Sequence, residues 1–394
     1  MNSSPASETL ALAYASMKPI SQPQIYAVLA RALGMPSEHL RSAFRIATPE
    51  DIPEILRLRR DTLGPAITWD DEKYWRWKYL EQPELHNGEI PCWVFEKDDE
   101  IIAAMGFERI QLCANGKIYP GVWSYDIMVR PDYDGRGLGV LMNHVFQRHF
   151  PLLMVLGTND RSTGMLERLF TPLPPLRFWK KLIRAQPTLE RRLRWKSLAP
   201  PLATMADSFL AAYNYSTRIR VPPDLEIRRL DAFDEGVNLL CDRTQSQKTV
   251  LVRRHKDYLN WRYVSHPRHT YFCYGAFRAD RLQGYIVTHL AATEHQTLGV
   301  ISDWLAESDD SVIRCSVMRL LLQHAIHELT RAGADVLHAF AYQSSIEQIL
   351  RTLWFTRDPS GDIPFFLGAS PQELQPYLLA NDNWILTKGD SDIG

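Results

Sequence analysis

Cysteine is scarce in this sequence. Five are spread over 394 residues, Cys92, Cys113, Cys241, Cys273 and Cys315, with no close pair and no metal-ligand spacing. A disulfide framework and a zinc motif are therefore not expected, and most of these thiols fall in apolar runs where they read as reduced core residues. Long apolar runs are absent too: none approaches the roughly eighteen residues that a membrane-spanning helix requires, and the first residues show no charged-then-apolar leader pattern. Both point to a cytoplasmic protein. Charge of one sign is also lacking, since 45 basic residues face 46 acidic ones for a formal net charge of -1. No global field draws a polyanion, so a nucleic acid is not an expected partner.

The length exceeds one ordinary core and suggests two domains, and 45% hydrophobic with 23% charged residues fits globular chains. Residues 1–43 begin rich in Ser, Ala and Pro and continue with Ile25, Val28, Leu29, Leu33 and Leu40 at helical spacing, an extension expected to pack on the body. Phe44-Arg-Ile, then Thr48 with two acids behind it, predicts a strand, a cap and a helix. A Trp-rich helix over 74–80 follows, then strands over 92–96 and 101–110 joined at Asp98-Asp99, and a strand over 125–129. A glycine-rich loop leads to a helix from about Leu138, a buried strand over 152–157 and a helix over 159–170. The later half repeats this order. Tyr74-x-x-Trp77-Lys78-Tyr79-Leu80-x-x-Pro83 matches Tyr258-x-x-Trp261-Arg262-Tyr263-Val264-x-x-Pro267 at identical spacing, which marks an internal duplication. In that alignment Asp126 falls near Asp303. Residues 176–222, between the copies, read as a basic, proline-containing linker whose aromatics pack on the domains; contact with an anionic membrane is the less favoured reading. The divisions are thus 1–43, 44–175, 176–222 and 223–394, the last ending in a docked tail.

The loop Asp134-Gly-Arg-Gly-Leu-Gly139 is the part with chemistry in it. Gly135, Gly137 and Gly139 let the chain turn tightly and let a ligand approach the backbone. The first N–H groups of the following helix lack intrahelical partners and present the positive end of its dipole, a cradle for phosphate or pyrophosphate. The chain before the loop is an antiparallel meander, which excludes a Rossmann unit, and no Lys-Ser/Thr pair ends the loop as in a nucleoside triphosphate P-loop.

Strand, glycine loop, helix, strand and helix here resemble the GCN5-related N-acetyltransferase (GNAT) family over about residues 44–171, with a weaker copy over about 223–356. The resemblance implies an α/β fold of two tandem GNAT-like domains, each a mixed, mostly antiparallel sheet flanked by helices, with the N-terminal helical extension added. It implies an acyl-CoA-dependent N-acyltransferase that uses acetyl-CoA or another acyl-CoA as co-substrate and a small-molecule amine, such as an amino sugar, as acceptor; no metal is expected. Arg136, Gly137, Leu138, Gly139 and Asn159 would hold the coenzyme, and the amides of Ile127, Met128 and Val129 would line it and receive the oxyanion. Asp126 would be the catalytic base, its pKa raised by partial burial. Two positions depart from the family pattern: Asp134 stands where Arg or Gln is usual, and Leu166 where many members carry a proton-donating Tyr. The second copy's loop, 307–314, has acids and no glycine. Two rival readings stand beside this one, a non-catalytic acyl-CoA-binding or scaffold protein and a tandem aminoacyl transferase using charged tRNA. Trp75, Trp77, Tyr79, Trp93 and Trp123 read as core, and the pair His324 and His327 as a chance spacing without a third ligand.

Overall fold

Left-handed residue pairs close the hairpins on which the fold is built. In the computed structural model, which describes residues 22–64, 72–85, 88–192, 199–216, 222–245, 249–307 and 311–391, Asp98 (φ 54°) and Asp99 (φ 60°) join β2 (Cys92–Lys97) to β3 (Glu100–Ala114). Asn115 and Gly116, at φ 52° and 69°, join β3 to β4 (Lys117–Val129). Such pairs match the right-handed twist of the strands they connect. The turn at Asn115 makes β4 start earlier than the aromatic run at 125–129 suggests.

With β1 (Phe44–Ile46), these strands open a single 14-stranded sheet. Its order continues through β5 (Leu153–Leu156), β14 (Ile363–Ala369), β6 (Thr171–Leu182), β12 (Val336–Ala341), β11 (Thr297–Ala306), β10 (Arg281–Ala292), β9 (Tyr271–Arg278) and β7 (Glu226–Leu230). Off this path, β8 (Leu251–Val252) pairs with β3 and β13 (Thr356–Arg357) with β6. Each half thus contributes an antiparallel meander and a parallel pair, β4 with β5 and β11 with β12. At the centre the halves exchange strands: β14 from the end of the chain pairs with β5, while β6 from the first half pairs with β12.

This exchange corrects the reading of residues 176–182 as a linker. Lys181 is buried, its Nζ donating to the Leu353 carbonyl at 2.7 Å, and Lys180 pairs with Asp358 at 2.6 Å. Arg177 pairs with Glu347. A run that looks like solvated basic charge is therefore a central strand whose cations each find a partner. Beyond it lie two helices, Gln186–Arg192 and Ala199–Ser216.

Helices cover both faces. In the first half these are α1 (Gln22–Leu33), α2 (Ile52–Leu63), α3 (Glu72–Leu80), α4 (Leu138–His149) and α5 (Asp160–Leu169). A capping box between Thr48 and Asp51 starts the turn before α2, as the cap residues predict. The largest core cluster runs through both halves, from Trp77 and Trp123 to Trp261, Tyr285 and Trp384. At its middle the duplicated motifs meet. The rings of Trp77 and Trp261 stack with centroids 4.9 Å apart, and each indole N–H donates to the other's backbone carbonyl, at 2.9 and 3.0 Å. That reciprocity is what a pseudo-twofold relation between the copies requires. Trp75, Tyr79 and Trp123 are buried as expected of core.

Candidate active site

The site begins where β4 leaves its neighbour. β4 pairs with β5 only at Val122–Leu153 and Trp123–Met154, and beyond this the strands part. The ladder to β3 slips in the same stretch: Gly106 faces Tyr125 and Ala104 faces Met128, so Asp126 and Ile127 together oppose Met105. Asp126 occupies this bulge at φ 47°, a conformation that aspartate tolerates better than most side chains. The Arg130 amide donates to Ile102 O at 2.8 Å. Antiparallel alternation then turns the Met128 amide towards β3 as well, and those of Ile127 and Val129 towards the parted side. Of the three amides expected at the opening, Met128 belongs to the ladder instead.

The surroundings of Asp126 do not fit a base with a raised pKa. Burial pushes its carboxyl up, but the charges of Arg59 and Lys78 and the hydroxyl of Tyr79 outweigh this and hold it well below the usual carboxylate range. One oxygen, Oδ2, accepts from Arg59 Nη1 at 2.7 Å, from Lys78 Nζ at 3.0 Å and from the Tyr79 hydroxyl. A carboxylate so engaged is a poor proton acceptor. What it does instead is tie α2 and α3 to the bulge. Sequence reasoning missed these partners, although Lys78 and Tyr79 lie inside the duplicated motif and could have been read as facing a buried acid.

Past the bulge, Pro131–Tyr133 form one turn of 3-10 helix, Gly135 (φ 74°) and Gly137 (φ 87°) take left-handed conformations, and α4 begins at Leu138. A Cβ on Gly137 would lie 2.9 Å from Leu29 Cδ2, so α1 packs directly against the loop, whereas one on Gly139 would meet Met165 Sδ at 3.4 Å. Gly135 and Arg136 are exposed, and the first N–H groups of α4 open onto this surface. Asp134 Oδ1 accepts from the Gly135 amide at 2.9 Å. The carboxylate that would repel a phosphate is thereby bonded to its own loop. Arg136 and Arg130 flank the loop over the Tyr133 ring, at 4.9 and 5.0 Å from its centroid. Asn159 caps α5, its Oδ1 accepting from Ser162 N at 3.0 Å and Ser162 Oγ at 2.8 Å. Leu166 is buried in the core, so no proton donor stands at that position.

In sequence, residues 43–150 match the family model described as an acetyltransferase (GNAT) domain. Residues 43–150 are thus a GNAT domain by sequence. No curated protein matches the chain in sequence. Among solved structures, a GCN5-related N-acetyltransferase from Anabaena variabilis is 14% identical with a TM-score of 0.55, the match covering 82% of this chain and 71% of that one. The N-myristoyltransferase of Saccharomyces cerevisiae, solved with bound myristoyl-CoA, is 13% identical with a TM-score of 0.54 and coverages of 88% and 84%. A probable N-acyltransferase from Enterococcus faecalis is 10% identical with a TM-score of 0.54 and coverages of 85% and 73%. At these identities the likeness is one of fold, and that fold is the GNAT acyltransferase fold.

The second half carries a different arrangement at the matching place. Ile301 faces Thr288 and Asp303 faces Val287, so Ser302 is the extra residue of the bulge and Asp303 lies in the ladder beyond it. Asp126 thus lies in its bulge and Asp303 beside the corresponding one, so the two are not strict equivalents. Asp303 lies 3.4 Å from Arg254 and accepts from Tyr285 OH at 3.1 Å and Thr387 Oγ1 at 2.9 Å. The tail turn Lys388–Asp390 packs on it: a Cβ on Gly389 would come within 3.3 Å of both Asp303 Cβ and Ser302 O. Part of the acidic loop 307–314 lies outside the described residues. Among those described, no group of three or more potential metal ligands occurs, and the His324 ring packs against Tyr274 at 4.5 Å.

Proposed function

We propose that this chain transfers an acyl group, most simply acetyl, from coenzyme A to the amine of a small molecule, with the reaction confined to the first half. The observation that carries this reading is the exposed glycine loop at the start of α4, directly after a bulged strand that has parted from its neighbour. The backbone of Arg136, Gly137, Leu138 and Gly139 would receive the pyrophosphate of the co-substrate. The parting of β4 from β5 gives the acyl-bearing arm a place beside unpaired amides, and Ile127 and Val129 supply donors for the oxyanion. In the transfer the amine nitrogen bonds to the thioester carbonyl carbon, the C–S bond breaks, and the amine's proton leaves to solvent or to the departing thiolate.

Asp126 has a positioning role here: its ion cluster fixes the bulge that aims those amides. The rate then comes mainly from holding an already neutral amine against the thioester, a contribution that reaches effective molarities of about 10⁵ M or more. A second reading, acyl-CoA binding without turnover, is favoured by two observations, the engagement of Asp126 and the burial of Leu166. Titrating the protein with acetyl-CoA by calorimetry, beside a thiol-release assay over amino sugars and simple amines, separates the two. Binding with amine-dependent thiol release supports transfer. Binding without release across the panel supports the second reading.

A further inference from the structure

The helix Ala199–Ser216, in the stretch between the two halves, inverts the usual pattern of a surface helix. Its inner face carries mostly small or polar residues: Ala203 is buried, and Ala206, Asp207 and Leu210 are half-buried. Asp207 Oδ1 accepts from the Ala185 amide at 2.5 Å, which ties this face to the chain after β6. The large apolar side chains point away. Leu202, Met205 and Phe209 fall in one stripe at helical spacing and are 44%, 73% and 64% exposed. Met205 and Phe209 are the two most exposed large apolar residues among those described. A surface helix ordinarily turns such a stripe to the core, and one left outside marks an interaction surface.

Positive charge gathers around the same helix. Residues 190–220 hold six basic residues, Arg191, Arg192, Arg194, Lys196, Arg218 and Arg220, against two acids, Glu190 and Asp207. The cations precede and follow the helix in sequence, while Asp207 is bonded on its inner face. With a formal net charge of -1 for the whole chain, this excess is local.

Stripe and cations together select the partner. A second copy of the chain would bring two positive segments against each other, and these repel. A nucleic acid would answer the cations and leave Met205 and Phe209 in water. A bilayer with anionic headgroups answers both features, since it takes apolar side chains at its acyl boundary and cations at its surface. No described helix is long and apolar enough to cross a membrane, so the contact lies in the plane of the surface.

We infer that the helix Ala199–Ser216 docks the protein on an anionic lipid surface, with Leu202, Met205 and Phe209 inserted at the headgroup boundary and the flanking basic residues facing the anions. This surface goes beyond the acyl transfer proposed above and does not depend on it.

The test is flotation of the full chain with phosphatidylcholine vesicles, with and without about 30% phosphatidylserine. The chain should float with the anionic vesicles, bind the neutral ones at least about tenfold more weakly, and lose about tenfold between roughly 50 and 300 mM salt. Met205→Ser with Phe209→Ser removes the stripe from exposed positions without adding charge. This pair should weaken binding by about tenfold or more at an unchanged melting temperature. Arg191→Gln with Arg192→Gln should weaken it by about tenfold as well. Absence of flotation at low salt would overturn the inference, as would equal binding to both vesicles. So would binding indifferent to the serine pair, with a single-stranded oligonucleotide held equally well by wild type and variant, which assigns the cations to a nucleic acid. A dimer in size-exclusion chromatography that the serine pair dissolves, with no flotation of the wild type, would give the stripe to a second copy and overturn it too.

Discussion

The two halves share one topology and differ in what fills the gap beside the bulged strand. In the first half the gap leads to an exposed glycine loop, and the buried acid at the bulge is neutralised by cations from helices α2 and α3. In the second half the buried acid is met by Arg254 and by Thr387 of the chain's own tail, with Asp390 bonded to Arg254 at 2.6 Å. The same fold thus leaves one centre open and builds the other shut. The two halves carry the same kind of meander and parallel pair, and the residues at each bulge decide which gap stays open.

The strongest way to break this comparison is at the acids. Asp126→Asn removes the carboxylate from beside Arg59 and Lys78, and losing one member of a buried ion cluster costs about 3 kcal/mol or more. Urea unfolding at pH 7 should show that loss, with residual activity falling in step with the disturbed bulge. The folded pKa of Asp126 lies below its unfolded value of 3.8, so its stabilisation is complete above that value and fades as pH falls towards the folded one. The difference between wild type and variant should accordingly shrink below about pH 4. A variant with unchanged stability but no turnover would restore Asp126 to the role of base.

Next in size is Gly137→Ala. At φ 87°, with Leu29 Cδ2 2.9 Å from the new Cβ, it should lose about 1–2 kcal/mol in thermal or denaturant unfolding. It should also weaken acetyl-CoA by tenfold or more in calorimetry, about the worth of one or two backbone contacts. Gly139→Ala sharpens the same point, since its Cβ has room at 3.4 Å from Met165 Sδ and no positive φ to strain. Stability should stay within about 0.5 kcal/mol, and coenzyme affinity should fall because the methyl occupies the approach to the backbone. The smallest effect belongs to the exchanged strand. Burial lowers Lys181 from 10.5 to about 8, so the unfolded chain holds its proton over a range where the folded one has released it. Stability gains from this group as pH rises from about 8 to 10.5, and Lys181→Met should flatten that rise in unfolding curves.

Much of this arrangement was legible in the residues. The capped turn at Thr48, the Asp98-Asp99 hairpin, the helix start at Leu138 and the strand at 336–341 follow from local chemistry that tertiary packing leaves alone. The duplicated Tyr-x-x-Trp motif pointed to a relation between halves, and the reciprocal Trp77–Trp261 bonds give it a physical form. Two features could not be read locally. Residues 176–182 carry enough charge to resemble a linker, and only partners more than 150 residues away, such as Glu347 and Asp358, make them a central strand. Asp126 stands before the loop by its place in the chain, but its protonation is set by Arg59, Lys78 and Tyr79, which only the fold brings to it.

The measurement that bears most directly on the account is the stoichiometry of acetyl-CoA binding, by calorimetry on the intact chain and on Gly137→Ala and Gly139→Ala. One site per chain, weakened by both substitutions, is the predicted result. Two sites per chain, or one site indifferent to both glycines, would contradict the division into an open first centre and a closed second one.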